Sequence, residues 1–166
     1  ITTPKFAAMA IRKVAEIGWK PVHYLTSVSQ SIAAVLKPAG FDNAKGVITS
    51  QYLRDPTDPA VQGTKEFAAY SAWFRKYYPA GDVNDTLNVI GYSSAQTLEH
   101  VLRRAGDNLT RENIMKIAAN LDMTLPMLVP GINVRTAPDD FYPVERLQPV
   151  QFNGKSYEPV GPVLGR

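Results

Sequence analysis

Apolar residues recur at helical spacing near the start of the chain and predict a helix there. Ala7, Ile11 and Val14 fall on one side of residues 4–17, and the charged residues lie largely off that side. Thr3 is a favourable N-cap, and Pro4 suits the first helical position because its missing N–H would have no partner there. One face of this helix is therefore expected to meet a core.

Four further segments also show helical patterns. A short helix is predicted to end near Leu36, and an aromatic-faced helix covers residues 64–78. A long helix is predicted over residues 89–106, with Leu98, Leu102 and their helical neighbours toward the core. Residues 110–121 form the last one, with Thr110 as its N-cap.

Strand patterns lie between and after these helices. Residues 21–26 and 45–53 are rich in β-branched and aromatic side chains, and a turn-rich segment, RDPTDP, follows the second. A hairpin is predicted around Asn153-Gly154, the preferred pair for a two-residue turn. Residues 125–149 hold several prolines and are predicted to form an ordered loop. The succession of helices and strands predicts an α/β fold with parallel sheets flanked by helices.

Composition narrows the class of protein. The chain has 166 residues, of which 45% are hydrophobic and 20% charged, as in an ordinary globular domain. The net charge of +3 comes from scattered basic residues without a block, which argues against nucleic acid as a partner. Apolar runs are too short for a membrane-spanning helix.

Groups for catalysis or metal binding are few. The chain has no cysteine, and its two histidines, His23 and His100, lie far apart. Asp55 with Asp58, and Asp139-Asp140, lack the pattern of a calcium loop and are interpreted as turn residues. The sequence therefore predicts no enzyme activity, no catalytic residue, no metal and no cofactor.

Hydroxyl groups gather at two predicted helix starts. Thr2 and Thr3 precede the first helix, and Ser27, Ser29 and Ser31 follow a predicted strand. Free N–H groups at helix starts hold anions or polar ligands, and such turns lie at the carboxyl ends of strands in open α/β sheets. Simple capping explains the same pattern equally well.

Four long segments in unbroken order resemble the solute-binding proteins of bacterial ABC transporters. They are TTPKFAAMAIRKVAEIGWKP, KPAGFDNAKGVITSQYLRDPTDP, GYSSAQTLEHVLRRAGDNLTRENIMKIAANL and LVPGINVRTAPDDFYPVERLQPVQFNGKSYEPVGPV. The resemblance is to the branched-chain amino-acid-binding (leucine/isoleucine/valine) group, the type I periplasmic binding proteins. It extends over nearly the whole chain but only over the C-terminal half of that family's length.

The resemblance implies a fold of two α/β lobes joined by three crossing strands, with a ligand in the cleft between the lobes. On this basis residues 1–51 belong to lobe 2, residues 52–145 to lobe 1, and residues 146–166 return to lobe 2. The N-terminal half and a signal peptide are then expected to be missing, and that half is an expected partner of this chain. Binding energy is expected to drive closure of the lobes.

The resemblance also suggests where the ligand binds. The family places one ligand contact at the turn before the first helix and another in the loop after PVHYLT. Amino-acid binders of the family have an acidic residue in that loop, whereas Ser27, Val28 and Ser29 occupy it here. Burying an ammonium without an anionic partner costs several kcal/mol, so a carboxylate ligand without an ammonium, aromatic or aliphatic, is expected. The candidate ligand-binding residues are Thr2, Thr3, Phe6, Ser27, Val28, Ser29 and Tyr52.

Partners and location follow from the same resemblance. It implies a periplasmic protein that captures a small organic molecule and delivers it to the membrane permease of an ABC importer. A ligand-sensing domain of a receptor or regulator with the same fold is the alternative.

Overall fold

The structure is a computed structural model that describes residues 2–165 of the chain. Its α-helices are α1 (Pro4–Glu16), α2 (Lys37–Ala39), α3 (Phe41–Ala44), α4 (Pro59–Gln62), α5 (Lys65–Tyr77), α6 (Thr86–Ala105) and α7 (Arg111–Ala118). Its strands are β1 (Ile48–Gln51), β2 (Asp122–Met123), β3 (Val134–Arg135), β4 (Gln148–Phe152) and β5 (Tyr157–Pro159). The predicted mixture of helices and strands is confirmed.

Side-chain caps fix the starts of the three long helices that follow β1. Oxygens of Thr64, Asp85 and Thr110 accept hydrogen bonds from backbone N–H groups in the first turns of α5, α6 and α7. The Asp85 cap places the start of α6 at Thr86, three residues before the predicted start at Val89. The prediction was late because the polar residues before Val89 are also typical of a turn.

The segment between α1 and β1 contains less strand than predicted. Within residues 21–26 only Tyr24 forms a bridge, parallel to Ile48. A 3₁₀ turn (Ser27–Ser29) and a π-helical turn (Ile32–Leu36) then lead into α2 and α3. The parallel contact is joined by a helical crossover, as in a βαβ unit, but it consists of one bridge and not of a pair of strands.

The main sheet has the order β1-β4-β5. The prediction of parallel sheets needs correction here, because β4 pairs antiparallel with both β1 and β5. The hairpin that joins β4 to β5 reverses the chain directly and excludes a parallel arrangement of these two strands. Its loop covers residues 153–156, where the Asn153 N–H donates to the Ser156 carbonyl oxygen over 3.0 Å, and Gly154 has a φ of 105°, which favours glycine.

A second, two-stranded sheet pairs β2 with β3. The predicted loop at residues 125–149 therefore contains β3 and the start of β4. β3 pairs with β2, and β4 pairs with β1. These hydrogen bonds join distant segments, so the local sequence does not indicate them.

The buried apolar side chains form two separate clusters. We call the first the terminal core, because its members come from both ends of the chain: Ala7, Ala8, Ile11, Ile32, Val35, Leu36, Ala39, Ala44, Val150, Phe152 and Tyr157. We call the second the middle core: Leu53, Tyr70, Phe74, Val89, Val101, Leu121, Leu125, Met127, Leu128 and Val134. The chain thus builds one core, leaves it after β1 to build another, and returns with β4.

Part of the predicted apolar face of α6 is exposed. Val101 and Ala105 are buried, but Leu98 and Leu102 are 56% and 43% exposed. The predicted orientation of these two leucines toward a core is therefore wrong for the residues that the structure describes.

Candidate functional site

A small cavity with a largely apolar surface lies where the two cores adjoin. The Ser31 hydroxyl donates a hydrogen bond to Asp85 Oδ1 over 3.3 Å and so connects the segment before α2 with the start of α6. Beside this contact lies a cavity of about 40 Å³, lined by Ser27, Val28, Gln30, Ser31, Tyr52, Thr86, Leu87 and Ile90. Three of the predicted site residues, Ser27, Val28 and Tyr52, therefore line the same cavity.

Thr2 and Ser29 are also brought together. The Ser29 side chain is fully buried, and its hydroxyl donates to the Thr2 carbonyl oxygen over 2.7 Å. This bond attaches the residues before α1 to the 3₁₀ turn. Ser29 thus uses its hydroxyl to position the Thr2 backbone.

Thr3 and Phe6 lie at the start of α1, outside the cavity lining. Thr3 has the extended backbone of an N-cap, yet its hydroxyl makes no cap hydrogen bond. Phe6 is 58% exposed, and Val28 across the adjoining turn is 55% exposed. Both apolar side chains are therefore open to contact with another molecule.

A matched pair of substitutions compares Thr64, whose side chain caps a helix, with Thr3, whose side chain makes no cap hydrogen bond. Thr64→Ala removes the oxygen that accepts from Phe67 N at 3.2 Å and is expected to cost about 1 kcal/mol of stability. Thr3→Ala removes no cap bond, so we expect a smaller loss. Urea unfolding of both variants measures the difference, and equal losses would contradict it.

The sequence did not predict the residues on the α6 side of the cavity. Thr86, Leu87 and Ile90 line it, and Gln30 and Ser31 complete the other wall. The Asp85 cap is the signal that could have indicated where α6 begins. The contact between this helix start and Ser31 could not be predicted from the sequence, because the two positions lie far apart in the chain.

Two polar side chains in the cavity wall have no partner within residues 2–165. Gln30 and Thr86 are each 4% exposed. Gln30 Oε1 and Thr86 Oγ1 are buried and make no hydrogen bond to another described residue. Buried polar atoms normally have a partner, so these two are exceptions among the described residues.

Tyr52 and Tyr157 lie on either side of the crossing between the cores. Burial raises the pKa of the Tyr52 hydroxyl, which lines the cavity. The Tyr157 hydroxyl donates to the Gln30 carbonyl oxygen over 2.9 Å. This bond helps to hold Gln30 against the terminal core.

Asp55 is a buried carboxyl just after the crossing from β1. Its Oδ1 accepts hydrogen bonds from Thr57 N at 2.8 Å and Thr57 Oγ1 at 2.7 Å, whereas Oδ2 is buried without a partner. Burial raises the pKa of Asp55 above its ordinary value; the Thr57 bonds oppose this rise, and Asp58 and Asp85 add to it.

We expect Asp55 to make stability fall as pH rises above about 3.8. In the unfolded chain the carboxyl loses its proton through that pH, whereas the folded protein keeps it to a higher pH. The unfolded state then binds fewer protons, so unfolding becomes easier until the folded carboxyl has also ionised.

The substitution Asp55→Asn removes this dependence and should flatten the decline of unfolding free energy above that pH. Chemical denaturation at a series of pH values measures the slope, with the exposed Asp139→Asn as control. An unchanged slope in Asp55→Asn contradicts the interpretation.

The described residues show neither a metal site nor a membrane-spanning helix. Within residues 2–165 no group of three or more His, Cys, Asp or Glu side chains is placed to hold a metal ion. None of the described helices has the length and apolar character needed to cross a membrane.

An apolar groove of about 280 Å³ adjoins the cavity, since Tyr52 and Ile90 line both. The other groove residues are Leu53, Ser93, Ser94, Thr97, Leu125, Leu128, Val134, Pro143 and Val144. The groove is therefore an open side of the middle core.

A family profile and several solved structures match the chain. The profile of the family described as "Periplasmic binding protein" matches residues 1–156. A comparison with curated proteins gives no match.

Three of the solved structures illustrate the fold. A branched-chain amino acid ABC transporter protein from Thermus thermophilus with bound valine is 16% identical, with a TM-score of 0.76 over 96% of this chain and 43% of that one. A possible leucine/isoleucine/valine-binding protein from Rhodopirellula baltica SH 1 is 16% identical, with a TM-score of 0.75 over 97% of this chain and 41% of that one. A substrate-binding periplasmic protein from Ralstonia solanacearum is 20% identical, with a TM-score of 0.67 over 99% and 44%.

These likenesses show the fold and its extent. The chain has the architecture of part of a two-lobed type I periplasmic binding protein. It spans about two fifths of the length of the structures it matches.

Proposed function

Because the chain belongs to the periplasmic binding protein family, we propose that it is part of the solute-binding component of an ABC importer. The family consists of solute-binding proteins rather than enzymes. The observation that carries the proposal for this chain is the cavity between the two cores, where Ser27, Val28 and Tyr52 meet the start of α6. The protein is proposed to act in the periplasm and to deliver its ligand to a membrane permease.

We propose that the two cores belong to two lobes. Residues 1–51 and 146–166 are assigned to lobe 2 and residues 52–145 to lobe 1. The separation of the buried side chains into the terminal core and the middle core supports this division. A ligand that contacts both lobes only when they are closed shifts the equilibrium toward the closed form.

The open groove on the middle core supports a further part of the proposal. Leu53, Leu125 and Leu128 line it, and Leu98 and Leu102 are exposed on α6. Contiguous exposed apolar surface marks contact sites, and the exposed Leu98 and Leu102 lie on the helix that borders the groove. We propose that further chain of the same protein, the expected N-terminal half, covers this side.

The proposed ligand is a small carboxylate without an ammonium group, aromatic or aliphatic. The loop at Ser27–Ser29 has no acidic side chain to pair with an ammonium. Asp85 caps α6 through Oδ1, which accepts bonds from Ser31 Oγ and Leu87 N, and its side chain does not belong to the cavity lining. A buried ammonium without a free anionic partner costs several kcal/mol, which disfavours an amino acid.

Isothermal titration calorimetry on the complete protein tests the ligand class. We expect benzoate-type acids to bind and leucine not to bind. Ser27→Ala should weaken binding by about fivefold, the value of one ordinary hydrogen bond. Ser156→Ala, in the loop between β4 and β5 and outside both the cavity and the groove, is the matched control and should leave affinity unchanged. Tight binding of leucine without binding of benzoate-type acids would refute the proposed ligand class.

A further inference from the structure

We propose that the hydrogen bond between Ser31 and Asp85 is a latch, a contact by which the protein itself stabilises the closed arrangement of its two lobes. This inference rests on the proposed division into lobes, because it treats the bond as a contact between two bodies. It goes beyond the proposed function because it assigns part of the free energy of closure to the protein and not to the ligand.

The position of the Ser31–Asp85 bond sets it apart from the other contacts between the lobes. Within residues 2–165 it is one of two hydrogen bonds that join the proposed lobes. The other runs from Arg146 Nη1 to the Gly131 carbonyl oxygen over 2.8 Å, and Arg146 lies just before β4, where the chain re-enters the main sheet. Among the described residues, the Ser31–Asp85 bond is therefore the one that joins the lobes away from the strands that connect them.

Each end of the latch is a helix cap that its own lobe holds in place. Asp85 Oδ1 accepts from Leu87 N at 3.0 Å and fixes the start of α6. Ser31 Oγ accepts from Ala34 N at 3.1 Å and caps the π-helical turn. The Ser31 hydroxyl has one proton, which it donates to Asp85, while its lone pair accepts from Ala34. Both side chains are thus oriented by local bonds that do not depend on closure.

The strength of the bond suits a contact that forms and breaks. Its length of 3.3 Å is long for a hydrogen bond between two oxygens, so we place its net value at the lower end for such bonds. Ser31 is 2% exposed, so solvent does not compete for its hydroxyl while the lobes are closed. A bond of this kind changes the ratio of closed to open forms by about two- to fivefold. It favours closure and still breaks when the lobes separate.

Thiol labelling of the complete protein measures opening of the lobes without any ligand. This chain has no cysteine, so Gln30→Cys and Thr86→Cys each introduce one reporter, and the protein without a reporter gives the background. Both side chains are 4% exposed, and they line the cavity from different lobes. Separation of the lobes exposes both reporters, whereas local loosening of one segment exposes only one.

Two substitutions break the latch in different ways. Ser31→Ala removes the donor, and Asp85→Ser keeps a good cap for α6 on a side chain one bond shorter, which loses the contact with Ser31. We expect each to raise the labelling rate at both reporters by about two- to fivefold. Asp85→Asn keeps the cap and an oxygen that accepts from Ser31, so its rates should stay close to those of the unsubstituted protein. Asp58→Ser and Thr64→Ala, which change the caps of α4 and α5, are the matched controls and should leave both rates unchanged.

The outcomes separate the latch from the proposed ligand class. Faster labelling at both reporters in Ser31→Ala and in Asp85→Ser supports the latch. An unchanged rate in either variant, a rise at only one reporter, or an equal rise in the controls overturns it. If Ser31→Ala does not fold, the comparison of Asp85→Ser with Asp85→Asn decides. The measurement uses no ligand, so calorimetry that refutes the carboxylate ligand leaves this result standing, and a failure of the latch leaves the ligand class standing.

Discussion

The substitution Phe152→Ala is expected to lower the free energy of unfolding by about 3 to 5 kcal/mol. Phe152 is fully buried on β4, the central strand of the main sheet. Its ring lies 5.7 Å from the ring of Phe41 and 5.5 Å from that of Tyr157. Alanine leaves a cavity between strands and helices that the terminal core cannot close without distorting the sheet.

Urea unfolding monitored by circular dichroism measures this loss. Phe152→Leu retains most of the apolar volume and should cost less than Phe152→Ala. Tyr142→Ala is the surface control, since Tyr142 is 75% exposed, and should change stability by no more than about 0.5 kcal/mol. A loss below about 1 kcal/mol for Phe152→Ala would show that the terminal core is not packed as described.

The substitution Tyr70→Ala is expected to produce a loss of similar size, about 3 to 5 kcal/mol, in the middle core. Tyr70 is fully buried, and its ring lies 5.2 Å from Tyr92 and 5.7 Å from Phe74. Its hydroxyl donates to the Val83 carbonyl oxygen over 3.2 Å. The substitution therefore removes the ring that packs against Tyr92 and Phe74, and it leaves the Val83 carbonyl oxygen without its hydrogen-bond donor.

Tyr70→Phe isolates the hydrogen bond and should cost about 1 kcal/mol.

The pair Tyr70→Ala and Phe152→Ala also tests the proposed division into lobes. If the two cores unfold separately, each substitution lowers the midpoint of a different transition in a denaturation curve. If both substitutions lower the same single transition by the same amount, the cores form one cooperative unit.

The local sequence was sufficient for the long helices and the hairpin. Pro4 and the spacing of Ala7 and Ile11 predicted α1, and the structure has it at Pro4–Glu16. The aromatic pattern predicted α5, and Asn153-Gly154 predicted the reversal between β4 and β5. These elements were predictable because their caps, turns and periodicities depend on neighbours in sequence.

Elements that depend on distant partners were harder to predict. Residues 21–26 have strand-like composition, but their only bridge is Tyr24 to Ile48, which tertiary packing decides. β2 and β3 are two residues each and pair across the predicted loop, so neither has a pattern long enough to recognise. The antiparallel position of β4 beside β1 likewise depends on where the chain returns.

Half of the candidate site was accessible to sequence reasoning. The hydroxyl-rich stretch at Ser27–Ser29 indicated one wall, and Ser27 and Val28 do line the cavity. Thr86 was overlooked because a threonine after a capping aspartate is ordinary at a helix start. Thr86 lines the same cavity as Gln30, a position far away in the chain, and the Ser31–Asp85 contact joins the two segments.

The connection between the two cores constrains how they can move. Gln51 at the end of β1 and Gln148 at the start of β4 are paired in the antiparallel register, so their Cα atoms lie about 5 Å apart. The whole middle segment leaves and rejoins the sheet at this one pair of neighbouring residues. If the middle segment moves as a body, we expect it to turn about that attachment, and the motion must also break the Ser31–Asp85 hydrogen bond.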